Sequence, residues 1–571
     1  MRGAFSASVL LIFTLFHSCQ ALESVSKKRQ TCRNVPGSVD YPNAQAWSTL
    51  NTTLSGRLVA AVPSAKYCAS IGGCTDAQWT SALFRNTIPG AMNQVNWEQG
   101  YDLKPPSLCL RNSTTCGQGD VPIYSVEAQT AGDIQTAVKF ASTHNLRLAV
   151  KASGHDFLGR STAANSLLIR TSNLKSLVFT DAFFVGNQNM GSAVTVGSGV
   201  HLQDLYVQSK ANGKVVVGGS AATVCAAGGY LQGAGHSGLG PLFGLAADNV
   251  LEFQIVVASG DLLQVNSVSN PDLFYALRGG GAGSWGVIVS ATIRTFPTFS
   301  GTFSLIEIGA TTNAAAGALM AVHAQHIFDI EAVRGGQYFW LEKPGNVSVL
   351  ALTTFTPNTT LDQGTALITP FLNDALAVPG VFLIEKQIAT LNVNDALFMA
   401  DDVVGTNQVM GSRLIPTAAY KDSNVATTVA GVYEDLLDGG ALQILGNMIA
   451  GGQVSANANI SSAVNPAWRT AKAHIIVVNL WDDSASAAEI AALATKFQTS
   501  QRAILERLSG PNAGSYSNEA DSQEPEFQTT FYGPNYAKLS AIKSKYDPHD
   551  LFIVAAGVGS ERWDKAGMCT V

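Results

Sequence analysis

VKASGHDFLGRS, residues 150–161, leads the chain from an apolar stretch into two turns, Gly-His-Asp and then Gly-Arg-Ser. Before it, Ile134, Val138 and Phe140 form a helical apolar stripe, and LRLAV at 146–150 is typical of a short buried strand. The pattern predicts a strand, a helix and a second strand that ends at the Gly-His turn. Such a turn exposes its imidazole and leaves backbone N–H groups free to bind an anion, although a lone histidine is more often structural.

The composition favours a globular protein that acts on a small molecule. The chain has 571 residues, of which 46% are hydrophobic and 13% charged, so it is long enough for two or more domains with sizeable cores. The net charge is −6 and there is no long basic run, so the positive surface that a nucleic-acid-binding protein needs is missing. We therefore expect a small-molecule partner and no nucleic acid.

The N-terminus has the pattern of a signal peptide, which we place at residues 1–21. Arg2 supplies the positive start, SVLLIFTLF the short apolar core and SCQA the small-residue end. The apolar core is too short to span a bilayer comfortably, and no long uncharged apolar run follows it. We expect a secreted, extracellular protein without a membrane span, with N-glycans at the five sequons, Asn51, Asn112, Asn346, Asn358 and Asn459.

Seven cysteines remain after the predicted signal peptide, and an odd number in an oxidising compartment leaves one unpaired. Cys225 is the unpaired one by context, because it lies in the apolar, glycine-rich ATVCAAGG. Sequence alone leaves the connectivity of the others open. The pairing that we favour is Cys68 with Cys74, Cys109 with Cys116, and Cys32 with Cys569.

Two windows, residues 233–238 and 281–286, fit Gly-x-Gly-x-x-Gly, but neither has the context of a nicotinamide site. A nicotinamide site has a helix that opens on the glycine loop, but the second window runs directly into a strand and the first is followed by LGPLFGL. Such a site also has an acid for the ribose at the end of the next strand, whereas Glu252 begins a strand. We reject a Rossmann site, although such loops can still present N–H groups to a pyrophosphate. Without His-Glu-x-x-His, Cys-x-x-Cys or Gly-x-Ser-x-Gly, the sequence predicts no metal site and no common serine nucleophile.

Four ordered segments resemble the FAD-linked oxidases of the vanillyl-alcohol oxidase superfamily, most closely the berberine-bridge-enzyme-like group and its secreted fungal members. They are residues 124–174, 223–263, 270–297 and 531–552. The resemblance implies an α+β, two-domain vanillyl-alcohol-oxidase-type flavoprotein with a FAD-binding domain and an antiparallel-sheet substrate domain. The implied divisions are 22–115, the N-terminal region of the FAD module; 116–298, the PCMH-type FAD-binding domain; 299–512, the substrate domain; and 513–571, a berberine-bridge-type segment that returns to the FAD domain.

The resemblance also implies which residues hold FAD. His155 corresponds to the histidine that is bonded through a ring nitrogen to the 8α-methyl of the flavin. The phosphate loop would comprise Ser153, Gly154, Asp156, Gly159, Arg160 and Ser161. Further cofactor contacts would come from Gly228, Gly229, Gly233, Gly235, His236, Asn249, Asn535 and, on the adenine side, Val287 or its neighbours.

One departure from the family pattern affects the expected link to the flavin. Members with a second covalent bond carry a cysteine shortly before the Thr-Val-Gly that precedes the Gly-Gly pair, and here Ala221 and Ala222 stand in that place. Cys225 is a neighbour of that position and does not match it. We expect a single histidyl link, with Cys225 buried, free and unreactive.

The implied activity is that of an oxidase, in which an alcohol or hydroxyl-bearing metabolite gives a hydride to FAD and dioxygen becomes hydrogen peroxide. Tyr516, Asn518 and Asp521 match the family's Tyr-x-Asn-x-x-Asp segment, and Glu519 stands where plant members often have a tyrosine. The candidate base is Glu519, with Tyr516 as the other candidate, and burial is expected to raise the pKa of Glu519. The alternative for Glu519 is a place in an exposed acidic loop. The alternatives for the protein are an oligosaccharide oxidase, an oxygen-avoiding dehydrogenase or a secreted flavin-bearing protein with little catalysis.

Overall fold

The computed structural model describes residues 31–113, 115–397 and 404–571. The predicted signal peptide lies outside these residues. Among them, no helix combines the length and apolar character needed to cross a membrane. Three main sheets organise the described chain, two small ones in the N-terminal half and a large one in the C-terminal half.

The first sheet contains the predicted strand, helix and strand. The helix Ala131–Thr143 begins at Thr130, whose side chain forms a reciprocal capping box with Asp133. It buries Ile134 and Val138 against the sheet, and the following strand runs directly into the 150–161 turn. The strand order is Leu58–Ala60, Tyr124–Glu127, Leu167–Arg170 and Leu148–Lys151, with parallel pairing among the last three.

The second sheet is antiparallel and supplies the glycine-rich connections. Its three inner strands are largely buried, whereas the two outer strands are partly exposed. The strand order is Leu262–Asn266, Val250–Val256, Val287–Arg294, Ala193–Gly197 and Leu177–Thr180.

The third sheet has seven strands. It is antiparallel throughout, which agrees with the antiparallel sheet that the resemblance implied. Three helices, Asn313–His326, Leu361–Leu376 and Val425–Asp438, cover one face of it with a buried aliphatic core. Side chains alternate along a strand, so every second residue points to the opposite face. The strand order is Val381–Asn392, Ser300–Ala310, Ser348–Pro357, Gly336–Glu342, Gln443–Met448, Ala471–Trp481 and Asn407–Pro416.

Shorter elements connect and flank these sheets. The other helices of six or more residues are Ala44–Thr53, Ser64–Ser70, Leu202–Ala211, Pro271–Leu277, Arg502–Ser509, Ala487–Lys496, Phe527–Tyr532 and Tyr536–Tyr546. Two-residue strands occur at Phe184–Val185, Gln188–Asn189, Lys214–Val215 and Phe296–Pro297.

The C-terminal segment contacts the N-terminal half through one buried lysine. The helix Tyr536–Tyr546 buries Lys543, whose Nζ donates to the backbone oxygens of Ser284 and Phe552 at 2.8 and 2.7 Å. Asp547 pairs with the same ammonium and accepts from the backbone N–H groups of Leu551 and Phe552. The tail is therefore fixed to the glycine-rich loop that precedes the strand Val287–Arg294.

Three disulfides match the favoured pairing. They join Cys68 to Cys74, Cys109 to Cys116 and Cys32 to Cys569. Cys225 is buried and unpaired, and burial raises the pKa of its thiol to about 11. The thiol is therefore protonated at neutral pH, in agreement with the expectation of an unreactive cysteine.

Candidate active site

A cavity lies where the 150–161 turn meets the glycine-rich loops and the segment from Tyr516 to Glu519. Ten of the sequence-predicted residues line it: Ser153, Gly154, His155, Asp156, Arg160, Ser161, Gly228, Gly229, Tyr516 and Glu519. The turn, the loops and the C-terminal segment thus form one site, although they are far apart in sequence.

Arg160 connects the turn to the C-terminal segment. Its Nε donates to Asp156 at 2.7 Å, and its terminal nitrogens donate to the Ser517 backbone oxygen and to Asn518 Oδ1, both at 3.1 Å. The turn needs glycine at position 159, because φ there is +75° and a Cβ would lie 2.6 Å from the Trp97 ring. These contacts fix the backbone around His155.

His155 faces the cavity with a neutral ring. Its Nε2 lies 2.6 Å from the Thr223 hydroxyl. Burial, with a smaller contribution from His201, lowers the pKa of His155 to about 3. A neutral imidazole retains a lone pair on one ring nitrogen, as a nitrogen that forms a bond to carbon requires.

The lining fits a polar cofactor such as FAD. Within the described part of the chain, the buried Ser198 hydroxyl and the Gln232 side-chain oxygen have no hydrogen-bond partner, although both residues line the cavity. Buried polar groups are normally paired, so this wall is suited to a ligand with donors and acceptors. Gly228 and Gly229 leave this wall without side chains.

Glu519 lies at the centre of a polar cluster beside the cavity. Its carboxylate oxygens are 3.0 and 3.1 Å from His236 Nε2, 3.4 Å from Asn447 Nδ2 and 3.5 Å from His474 Nδ1. His236 Nδ1 lies 3.3 Å from the Tyr338 hydroxyl. The Glu519 side chain remains 21% exposed, and because it lines the cavity, its carboxylate is accessible to a ligand there.

The expected direction of the Glu519 pKa shift is wrong. Burial alone would raise the pKa, but the charge and hydrogen bond of His236, the charge of His474 and the Asn447 amide outweigh it. The net pKa is lowered, so the carboxylate is ionised at neutral pH. Glu519 is also not part of an exposed acidic loop, since neighbouring Asp521 and Glu524 are both buried.

Tyr516 packs behind this cluster. Its hydroxyl accepts a hydrogen bond from Asn518 Nδ2 at 2.8 Å, and its ring meets His236 edge-on at 5.4 Å. Burial is the largest of the effects that raise its pKa above the ordinary tyrosine value. The phenol therefore stays protonated and is a poorer proton acceptor than Glu519.

Several sequence-predicted cofactor residues do not line the cavity. Asn249 Nδ2 donates to the backbone oxygens of Phe243 and Leu245, and Asn535 Nδ2 donates to those of Ala463 and Val464. Both side chains hold loops together. Val287 lies in the core beneath the first sheet, and its neighbours, Gly286 and Ile288, line the cavity in its place.

The other predicted glycines and His236 support the lining from behind. Gly159 packs on Trp97, Gly233 on Asn518 and Gly235 on Tyr230. His236 contacts the site through Glu519.

Sequence reasoning missed the residues that the large sheet contributes. Tyr338, Asn447 and His474 lie opposite one another on three adjacent strands and point toward Glu519. A histidine at the start of the apolar strand HIIVVNLW was the available signal, but the strand register that joins the three residues was not readable from the sequence. Tyr230 and Gln232, which also line the cavity, lie within a glycine-rich segment that the sequence did flag.

Comparisons with known proteins agree with this geometry. The family model described as "FAD binding domain" matches residues 122–266, and that described as "Berberine and berberine like" matches residues 515–559. An uncharacterized FAD-linked oxidoreductase of Arthroderma benhamiae is 36% identical over 94% of this chain and 95% of its own. A VAO-type flavoprotein oxidase of Thermothelomyces thermophilus is 32% identical over 98% of both chains.

Solved structures show the same fold. The crystal structure of a VAO-type flavoprotein from Myceliophthora thermophila has a TM-score of 0.84 at 30% identity, covering 94% of this chain and 100% of its own. A carbohydrate oxidase of Microdochium nivale, solved with a substrate analogue, has a TM-score of 0.65 at 18% identity, covering 90% and 99%. At that identity, the second likeness concerns the fold alone.

Proposed function

Because the chain belongs to the FAD-linked oxidoreductases of the vanillyl-alcohol-oxidase and berberine-bridge-like family, we propose that it oxidises a CH–OH group of a small molecule and passes the electrons to dioxygen. The observation that carries this proposal is the ionised, cavity-facing carboxylate of Glu519, held by His236 in the same cavity as His155. A carboxylate in this position can accept the proton of a substrate hydroxyl.

The residues of the chain bind the alcohol and manage its proton. The substrate hydroxyl donates a hydrogen bond to Glu519. As the C–H bond breaks, the hydroxyl proton moves to the carboxylate. The contact with His236 Nε2 at 3.0 Å holds the carboxylate in place for this transfer. A base in such a position typically contributes about 10²–10⁴-fold to the rate.

FAD would be held by the 153–161 turn and the glycine-rich loops, with a bond to His155. When bound, it accepts the hydride and returns two electrons to dioxygen, so that an alcohol and O₂ become a carbonyl compound and H₂O₂. The neutral ring of His155 supports its role as the attachment point. A covalent bond would also retain the cofactor outside the cell, where free FAD is dilute.

Secretion is part of the proposal. Three disulfides are consistent with an oxidising compartment. Of the five sequons, Asn112, Asn346, Asn358 and Asn459 are exposed and suit glycan attachment. Asn51 is less suited, because it is half-buried in a helix and its side-chain oxygen accepts from the Leu58 N–H at 3.1 Å.

The test is anaerobic mixing of the purified flavoprotein with a panel of alcohols and sugars, following the loss of flavin absorbance. We expect an alcohol to reduce the flavin, and Glu519→Gln to slow that step by about 10²–10⁴-fold. Glu526→Gln is the matched control, because Glu526 is an exposed carboxylate seven residues along the chain. Equal slowing in both variants, or none in Glu519→Gln, would remove Glu519 as the base.

Reoxidation separates an oxidase from a dehydrogenase. Formation of one molecule of H₂O₂ per molecule of substrate oxidised, after air is admitted, supports an oxidase. Reoxidation by dye but not by air would favour a dehydrogenase. If no alcohol or sugar reduces the flavin, the proposal of an alcohol oxidase fails.

A further inference from the structure

The face of the large sheet that carries Tyr338, Asn447 and His474 continues into an apolar surface. Same-face neighbours along a strand are two residues apart, about 7 Å. The next positions on these strands are Trp340, Leu445 and Ile476, which lie opposite one another in the sheet. Beyond them, Val478 lies opposite Met410, and Leu480 follows on the same face. We call Trp340, Met410, Leu445, Ile476, Val478 and Leu480 the apolar strip.

The apolar strip adjoins the cavity. Phe157, from the turn that carries His155, lines the cavity and packs against the cluster of Met410, Ile476 and Val478. Trp340, Leu445 and Leu480 are only half-buried, so the strip retains open apolar surface. The helices that bury Ile475 and Val477 lie on the opposite face of the same strand.

The strip offers little to a polar ligand. Ser412 is the polar residue that faces Ile476, and its hydroxyl is already bonded to the Ser515 hydroxyl at 2.5 Å and the Glu519 backbone oxygen at 2.6 Å. Gln443 and Glu342 lie at the outer end, where they hydrogen-bond to each other. Trp340 contributes an indole N–H, and the half-buried Gln408 lies opposite Leu480. Apart from these two groups, the hydroxyls of a sugar placed along the strip would lose water without gaining partners.

We infer that the substrate carries its hydroxyl on an apolar skeleton, with the hydroxyl at Glu519 and the skeleton along the apolar strip. This assignment rests on the proposed function and refines it to apolar alcohols, to the exclusion of oligosaccharides. The substrate skeleton first contacts the apolar strip about 7 Å from Tyr338, Asn447 and His474. Alcohols with longer alkyl chains therefore bind more tightly than short ones.

The test uses alcohols that bind but cannot be oxidised. Tertiary 2-methyl-2-alkanols of four to ten carbons have no hydrogen on the carbinol carbon, so their Kd follows from the flavin spectrum or tryptophan fluorescence without turnover. We expect Kd to fall by about fourfold per added methylene until the strip is covered. Matched primary alkanols should reduce the flavin, whereas glucose and cellobiose should not.

Two nearby leucines supply the variant and its control. Leu445→Asn puts an amide on the half-buried, open part of the strip at nearly constant shape and is expected to raise the Kd of the longer alkanols by about three- to tenfold. Leu442→Asn makes the same change at an exposed leucine outside the strip, so it should leave Kd unchanged.

The outcomes distinguish this inference from the proposed function. Chain-length-dependent binding without reduction by any alcohol would keep the strip as a binding surface and overturn the proposed reaction. Reduction by sugars in preference to long alkanols, a Kd independent of chain length, or an unchanged Kd in Leu445→Asn would overturn the apolar strip as the substrate-binding surface and leave the proposed oxidase activity standing.

Discussion

At the scale of single residues, the environment of two side chains decides the chemistry. His155 and Glu519 line the same cavity, and their pKa values are both lowered, for opposite reasons. Burial removes the stabilising water around an imidazolium, so His155 is neutral. Nearby imidazoles and an amide favour the carboxylate, so Glu519 is charged. The site thus offers a neutral nitrogen and an anionic oxygen at the same pH.

We predict a covalent flavin from the position of His155 in the cavity and from its match to the flavin-linked histidine of the family. His155→Ala should release the flavin into the supernatant after acid precipitation, whereas the parent pellet should stay yellow, as followed by absorbance of both fractions. His326→Ala, at a partly exposed histidine bound to Asp329 and Asp374 in the other half of the chain, should keep the flavin in the pellet. A yellow pellet from His155→Ala would show that another residue carries the link.

The lowered pKa of Glu519 predicts the pH dependence of flavin reduction. A base works only when ionised, and the carboxylate is held below the ordinary value of 4.5. The anaerobic reduction rate should therefore stay level as the pH falls to that value and decline only below it. Removing the Asn447 amide in Asn447→Leu should move this decline to higher pH, because one hydrogen bond to the carboxylate is lost. A decline near neutral pH in the parent would contradict the assignment.

At the scale of elements, one helix connects the C-terminal segment to the FAD-binding half. Lys543 is buried in the helix Tyr536–Tyr546, where Asp547 is its counter-ion and the Ser284 and Phe552 backbone oxygens are its acceptors. The contact fixes the loop that contains Ala282 and Gly283, both of which line the cavity. The helix therefore shapes the cavity without touching it.

Breaking this buried pair is predicted to be costly. Lys543→Met leaves Asp547 buried without its counter-ion, a change that typically costs about 3–5 kcal/mol. Thermal unfolding should start at lower temperature, and adding Asp547→Asn should recover part of the loss. Lys545→Met, on the exposed side of the same helix, should leave the midpoint nearly unchanged. Equal midpoints for Lys543→Met and the parent would mean that the pair does not hold the segment.

The features that could be predicted from the sequence are those determined by residues close together along the chain. The strand, helix and turn that position His155 and the two short-range cysteine pairs are encoded locally. Asn249 and Asn535 were assigned to the cofactor because they stand in the right segments, but a side chain can equally turn to bind its own loop. Tyr338, Asn447 and His474 depend on the register of three strands, which periodicity does not define. The lowered pKa of Glu519 depends on His236 first and then on His474 and Asn447, and no local sequence pattern shows that these residues contact the carboxylate.

At the scale of the whole molecule, a disulfide joins Cys32 and Cys569, 537 residues apart. Beside it, the Arg33 N–H donates to the Met568 backbone oxygen and the Thr570 N–H to that of Thr31. The beginning and end of the described chain therefore lie side by side. The cross-link restricts the unfolded chain far more than the six-residue separation between Cys68 and Cys74.

The difference in loop length predicts a difference in stability. The chain-entropy model gives about 6 kcal/mol for the long loop and about 2 kcal/mol for the short one. In guanidinium unfolding, Cys32→Ser/Cys569→Ser should lower the midpoint clearly more than Cys68→Ser/Cys74→Ser. Equal midpoints for the two double variants would show that local packing, not loop closure, determines the effect.

The proximity of Cys32 and Cys569 also makes the described chain a covalently closed ring. In a closed ring, the backbone can be opened at an exposed turn without changing which residues contact one another. The fold therefore does not determine which element comes first along the chain. A circularly permuted gene could join the two ends through a short linker and begin at the exposed turn around Gly345. The two halves that build the cavity would then be encoded in reversed order, and the cavity would be unchanged.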